Sequence, residues 1–217
     1  MTDKLNLTEP SHDCPLCPRL AEFRALNRQR IPNGFNGPVP GWGDRNAQVL
    51  IVGLAPGLHG SNTTGRPFTG DYAGDLLFGT LLKYGLAEGE YLKRPDDSLQ
   101  LKNAFIASAV RCVPPENKPL PAEVHTCRPF LENEIKQLPN LKAMLALGTI
   151  AHQSAIKAAG GKLPKYKFAH GAVHKLPSGV LLFDSYHCSR YNTNTGLLTT
   201  EMFEAVVENI VKHLPAA

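Results

Sequence analysis

"AQVLIVGLAPGLHGSNTTGRPFTGD", Ala47 to Asp71, joins two stretches of opposite character. Gln48 to Leu54 is an unbroken apolar run of strand length, which reads as a strand buried on both faces. The stretch from Gly53 to Asp71 is rich in glycine and small polar residues and has little to bury. A loop of that length without structure of its own is more often functional than idle. The fold follows from asking what places such a loop directly after a core strand.

Three more apolar runs bounded by turn residues read as strands of the same kind: Ala104 to Val110, Ala143 to Gly148 and Val180 to Tyr186. Between and around them lie helix-length segments: "RLAEFRALNRQ", "DLLFGTLLKYGL", "PAEVHTCRPFLENEIKQL", "TIAHQSAIKAAG" and "TTEMFEAVVENIVKHL". Pro121 suits a first helical turn and Gly160 a helix stop. Strands alternating with helices of this length form crossover units, so the expected fold is a three-layer α/β/α sandwich around a small parallel sheet of about four strands. Ligands of open α/β sheets bind beyond the carboxyl ends of the strands. The loop from Gly53 to Asp71 is therefore where this architecture puts a site.

The 217 residues suit one domain, with 42% apolar and 19% charged residues and no internal repeat. No run is long enough to span a bilayer and the N-terminus lacks the blocks of a signal peptide, so a cytoplasmic protein is expected. The net charge of +4 permits a polyanionic partner without demanding one.

Five cysteines without an export signal point to metal or reactive thiols. Cys14 and Cys17 form "CPLC", Cys112 follows the second strand and Cys127 lies on the helix after it. Four thiols in two groups suit a tetrahedral zinc or a four-iron cluster, and spacing does not choose between them. Cys188 is left over and reads as a small packing residue.

"GLAPGLHGSNTTGRPFTGD", "AVRCVPPENKPLP" and "SYHCSRYNTNTGLLT", together with "CPLC", resemble the iron-sulfur uracil-DNA glycosylases, and more closely their type B or family 5 branch. The likeness runs from about Cys14 to Phe203. It implies an enzyme that removes uracil and other deaminated bases, hypoxanthine and xanthine among them, from DNA, leaving an abasic site. It also implies a monomer with a structural 4Fe-4S cluster on Cys14, Cys17, Cys112 and Cys127.

Such chemistry needs a pocket for an extruded nucleotide, with a stacking aromatic, polar readers and a water. By resemblance, Asp71 is the carboxylate that handles the water, with Asp75 as second choice on the same helical face. Phe68 stacks on the base, and His187 donates to the departing base. Asn117 reads the base edge, with Gly53, Gly57 and His59 beside it. Asn62, Arg190 and Tyr191 face the DNA, with Tyr191 or a neighbouring residue as a wedge. Leu54 stands where earlier branches carry a polar or acidic residue, and Ser108 where related branches place an asparagine. No lysine is placed to form a Schiff base, which points to a monofunctional enzyme. Two other readings stay open: a non-catalytic nucleic-acid-binding member of the same fold, and a zinc protein whose hydrolase site is unrelated to DNA.

Overall fold

A computed structural model describes residues 9–215. In chain order the elements are α1 (Pro18–Arg30), β1 (Trp42–Gly43), β2 (Val49–Gly53), α2 (Ser61–Thr64), α3 (Tyr72–Lys83), β3 (Ala87–Glu88) and β4 (Gln100–Leu101). They continue with β5 (Ala104–Ser108), α4 (Pro121–Lys136), β6 (Ala143–Leu147), α5 (Thr149–Ala158), β7 (Val173–Lys175), β8 (Leu181–Ser185), α6 (Arg190–Asn194) and α7 (Thr200–His213).

The four expected strands form the centre of the sheet, ordered β5-β2-β6-β8 and all parallel. Two short antiparallel strands, β1 and β7, extend it at the edges, so the sheet is mixed and six-stranded, not parallel and four-stranded. The added strands are only two and three residues long and carry no apolar run that would announce them. A separate pair, β3 and β4, forms a small hairpin outside the sheet.

Alternation along the central strands feeds two cores. Val49, Ile51, Ile106 and Leu145 pack with Leu77, Leu81, Phe203 and Ile210 from α3 and α7. Leu50, Val52, Phe105 and Met144 pack with Leu131, Ala155 and Ile156 from α4 and α5. Both faces are thus covered, which is why the central strands are mostly apolar, with Ser108, Asp184 and Ser185 the polar residues at their C-terminal ends, and each such buried aliphatic side chain contributes about 1.5–3 kcal/mol. A third, smaller cluster joins Leu20 of α1 to Val110, Cys127 and Phe130.

The helix signals hold: Pro121 opens α4, and Gly160 takes a φ of +77° just past α5. Pro129 inside α4 is the exception, tolerated within a helix of 16 residues. Among the described residues no helix is long and apolar enough to cross a membrane.

Candidate active site

Because the central strands are parallel, Gly53, Ser108 and Ser185 end on one edge of the sheet, and the loops that follow surround a hollow of about 380 Å³. Phe68, Asp71, Asn117, His187, Arg190 and Gly57 all line it.

Asp71 is the N-cap of α3: its Oδ1 accepts from the Ala73 amide at 3.2 Å. The role of helix-opening acid, which suits Asp75 from sequence, therefore belongs to Asp71. Burial raises the Asp71 pKa above its ordinary 3.8, against the lowering pull of the Ala73 and Gly74 amides. Asp75 is turned away, ion-paired with Lys93 at 2.8 Å outside the hollow, and does not replace Asp71.

The glycines have a specific steric reason. A Cβ on Gly57 would lie 2.9 Å from Asp71 Oδ2, and one on Gly60 would collide with the same oxygen. A Cβ on Gly53 would lie 2.8 Å from the Phe68 ring. The small residues of the loop make room for the carboxylate and the aromatic.

Phe68 itself adopts a φ of +55°, a left-handed conformation uncommon for a bulky residue. Its ring lies 6.1 Å from that of His187, with 28° between the planes. That separation is within the range of direct ring contact.

His187 follows β8, and its carbonyl is held by the Asn192 side-chain amide at 2.8 Å. Among the described residues nothing hydrogen-bonds either ring nitrogen, and burial pushes its pKa down to about 4. The imidazole is neutral at pH 7 and retains one N–H to donate into the hollow.

Asn117 ends a short 3-10 turn, Pro115–Asn117, in which Glu116 and Asn117 both take positive φ, 54° and 56°. It is exposed and forms the rim of the hollow, while Ser108 sits deeper, at the end of β5. Arg190 lies with its guanidinium 5.3 Å above the Tyr72 ring. Tyr191 beside it is 75% exposed.

Three expected contacts lie outside the lining of the hollow. Asn62 is 1% exposed and donates to Asn36 Oδ1 at 2.9 Å, which braces the loop. His59 is exposed but does not line the hollow, and Gly53, against the Phe68 ring, does not line it either. In their place Tyr72, Ser61 and Ser189 line it. Tyr72 opens α3, three residues before the segment that reads as a helix from sequence, and its place in the lining comes from the path of that helix.

The four expected metal-binding cysteines, Cys14, Cys17, Cys112 and Cys127, line a second, small hollow together with Arg24 and Phe130. Arg24 donates to Cys112 Sγ at 3.6 Å and to the Cys14 carbonyl at 2.9 Å, and the Arg111 amide donates to Cys127 Sγ at 3.3 Å. Burial pushes the Cys112 thiol up to about 11 and Cys127 to about 12. Among the described residues, the metal-type group with all ligand atoms within 4.8 Å is His152, His174 and Asp184, so the sulfurs face one hollow without closing on a single point. Cys188 is wholly buried in the core, as a packing residue should be.

The uracil DNA glycosylase superfamily matches residues 40–211. The type-5 uracil-DNA glycosylase of Thermus thermophilus is 46% identical over 200 residues, 89% of this chain and 90% of that protein. That of Pyrobaculum aerophilum is 40% identical over 199 residues, 90% of this chain and 86% of that protein. A type-4 uracil-DNA glycosylase of the same organism is 32% identical over 166 residues, 75% of this chain and 69% of that protein. With a family match over most of the chain and relatives covered over most of their length, the chain belongs to the uracil-DNA glycosylase superfamily.

Proposed function

We propose that this protein hydrolyses the N-glycosidic bond of uracil in DNA, and of the deaminated bases hypoxanthine and xanthine, acting as a monomer and leaving an abasic site. The observation that carries this reading is the convergence of Phe68, Asp71 and His187 on one hollow of nucleotide size. A base in a duplex is out of reach at its sugar carbon, so it is turned out and stacked against Phe68.

Asp71 then holds water with the carboxylate oxygen that the helix cap leaves free. As the C1′–N bond breaks, the carboxylate stabilises the cation-like sugar and takes a proton from the water whose oxygen joins C1′. The departing base carries negative charge, and the neutral His187 donates its N–H to a carbonyl oxygen. Asn117 reads the base edge from the rim. Arg190 meets phosphate, and Tyr191 fills the gap in the duplex.

Cys14, Cys17, Cys112 and Cys127 would hold a 4Fe-4S cluster. Buried thiols with raised pKa values need a cation to ionise, and Arg24 beside Cys112 supplies part of that compensation. A single zinc lies about 2.3 Å from each sulfur, which requires all sulfurs within roughly 4.6 Å of one another. The wider spread of these four favours the larger cluster. The cluster ties the arm carrying Cys14 and Cys17 to α4 and supplies no step of base removal.

The test is incubation with oligonucleotides carrying each lesion, followed by alkali and a search for strand scission. Cleavage at uracil is expected; no scission with any lesion overturns the reading. Purified protein is expected to be brown, with four irons per chain, and Cys112→Ser to be colourless and poorly soluble. A colourless, zinc-loaded wild type returns the cysteines to the mononuclear alternative.

A further inference from the structure

The β3–β4 hairpin lies outside the main sheet, and none of the residues of its loop, 89–99, lines the hollow. The loop nevertheless converges on one point: the backbone around Phe68. A bulky residue at positive φ is strained and persists only where surrounding structure over-determines it. Here the Tyr91 hydroxyl donates to the Phe68 carbonyl at 3.1 Å. The Tyr91 ring is itself fixed, 4.6 Å from Phe78 of the core. Gly74 must lack a side chain, because a Cβ there would collide with both the Phe68 carbonyl and the Tyr91 hydroxyl.

A second arm reaches the same turn. Arg66 Nη1 and Nη2 donate to the two oxygens of Asp97 at 2.7 and 2.9 Å, and Arg66 Nε donates to Thr69 Oγ1 at 2.7 Å. Asp97 has a wholly buried side chain and also accepts from the Leu92 and Leu99 amides, which fixes the loop to its own carboxylate. The guanidinium rests 4.9 Å from the Trp42 ring. Arg66, before Phe68, is thus bound directly to Asp97 of the hairpin loop, and Thr69, after it, is bound through Arg66.

We propose that the hairpin loop is a positioning device for the base-stacking ring, with Tyr91 and Asp97 as positioning residues that hold Phe68 in its left-handed turn against the hollow. The inference rests on the reading of Phe68 as the partner of the extruded base. A ring already in place binds the base in ground and transition states alike, so loosening it weakens binding and leaves the chemical step alone.

The experiment is Tyr91→Phe, which keeps the packed ring and removes one hydrogen bond, assayed under single turnover on a uracil-containing duplex. The expected result is a half-saturating enzyme concentration raised about fivefold with the maximal rate unchanged, the size of one lost hydrogen bond. Phe68→Leu alone should cost more, and adding Tyr91→Phe to Phe68→Leu should cost nothing further. If Phe68→Leu is costly while Tyr91→Phe is silent, or if the two effects add, the positioning role is overturned. If Phe68→Leu is itself silent, the stacking role falls and the positioning role with it. A fall in maximal rate at unchanged half-saturation also overturns the inference, since the defect would then lie in the chemistry.

Discussion

Two histidines, one buried and one half-buried, stand beside the same strand and could hardly be more different. His152 directs Nδ1 to Asp184 Oδ1 at 2.7 Å and Nε2 to the Tyr166 carbonyl at 3.3 Å, while His174 takes the other Asp184 oxygen at 3.0 Å. His187, two residues beyond β8, has no hydrogen bond to its ring and a pKa pushed down to about 4. The first group is closed: each polar atom of the Asp184 carboxylate is met by a neighbour. The second keeps its hydrogen-bonding capacity in reserve and turns it toward a hollow. An imidazole that lines a hollow and meets no protein partner keeps its donor and acceptor free for whatever enters there.

The largest expected effect separates the two carboxylates of these regions. Asp71→Asn keeps a good helix cap, because asparagine caps as well as aspartate, but loses the base that takes the proton from water. Base release should fall by about 10³- to 10⁴-fold at an upper range of general-base effects, with uracil-DNA binding retained. Asp184→Ala should do the reverse. It strands two imidazoles that share one carboxylate, lowering stability by about 3–5 kcal/mol while the rate of the folded fraction changes little. Single-turnover kinetics and chemical denaturation on the same preparations read both quantities. Unchanged release by Asp71→Asn would move the water-handling role elsewhere in the hollow.

A smaller version of the same crossing applies to the imidazoles. His187→Ala should slow base release about 100- to 1000-fold, the effect of removing one donor aimed at developing negative charge. Affinity for the DNA should change less. His152→Ala should leave release per folded molecule within about threefold and lower the melting temperature instead, as for a broken buried pair. If His152→Ala were as slow as His187→Ala at full stability, the distinction between a closed and an open site would fail.

The contrast also explains what could be read from the sequence. The four central strands fall within one or two residues of the apolar runs because burial on both faces leaves polar residues only near their C-terminal ends. The edge strands β1 and β7 and the β3–β4 hairpin escaped, since elements of two or three residues carry no period. Asp71, Phe68 and His187 were legible because the chemistry and the family motifs ask for those residue types at those places. Asn62 was misread: its partner Asn36 lies 26 residues away, and a polar loop residue gives no local sign that it is buried. Asp75 was misjudged by one helical turn, a distance within which a cap and a first-turn acid look alike in sequence. Tyr91 and Asp97 carry no signal at all, because their only importance is to a backbone turn 23 and 31 residues away.

The smallest expected effect is an absence of change, and it tests how His187 works. Were it an imidazolium donor with an ordinary histidine pKa of 6.5, the maximal rate would fall as pH rose from 6 to 8. Burial holds its pKa near 4, so the neutral form is present throughout that window and the maximal rate should stay flat. Below it the rate should fall, as Asp71 takes up a proton at a pH above the ordinary 3.8 of a carboxyl group. Stability carries the matching sign. Between pH 6.5 and about 4 the unfolded chain binds a proton at His187 that the native state refuses, so stability rises with pH across that window and is lost as pH falls through it. His187→Ala should remove that contribution to the slope, while the variant's rate profile keeps the acid limb set by Asp71. An inflection near pH 6.5 in the wild-type maximal rate, absent from His187→Ala, would show that the imidazole takes up a proton in the complex and that the hollow is wetter than its walls imply.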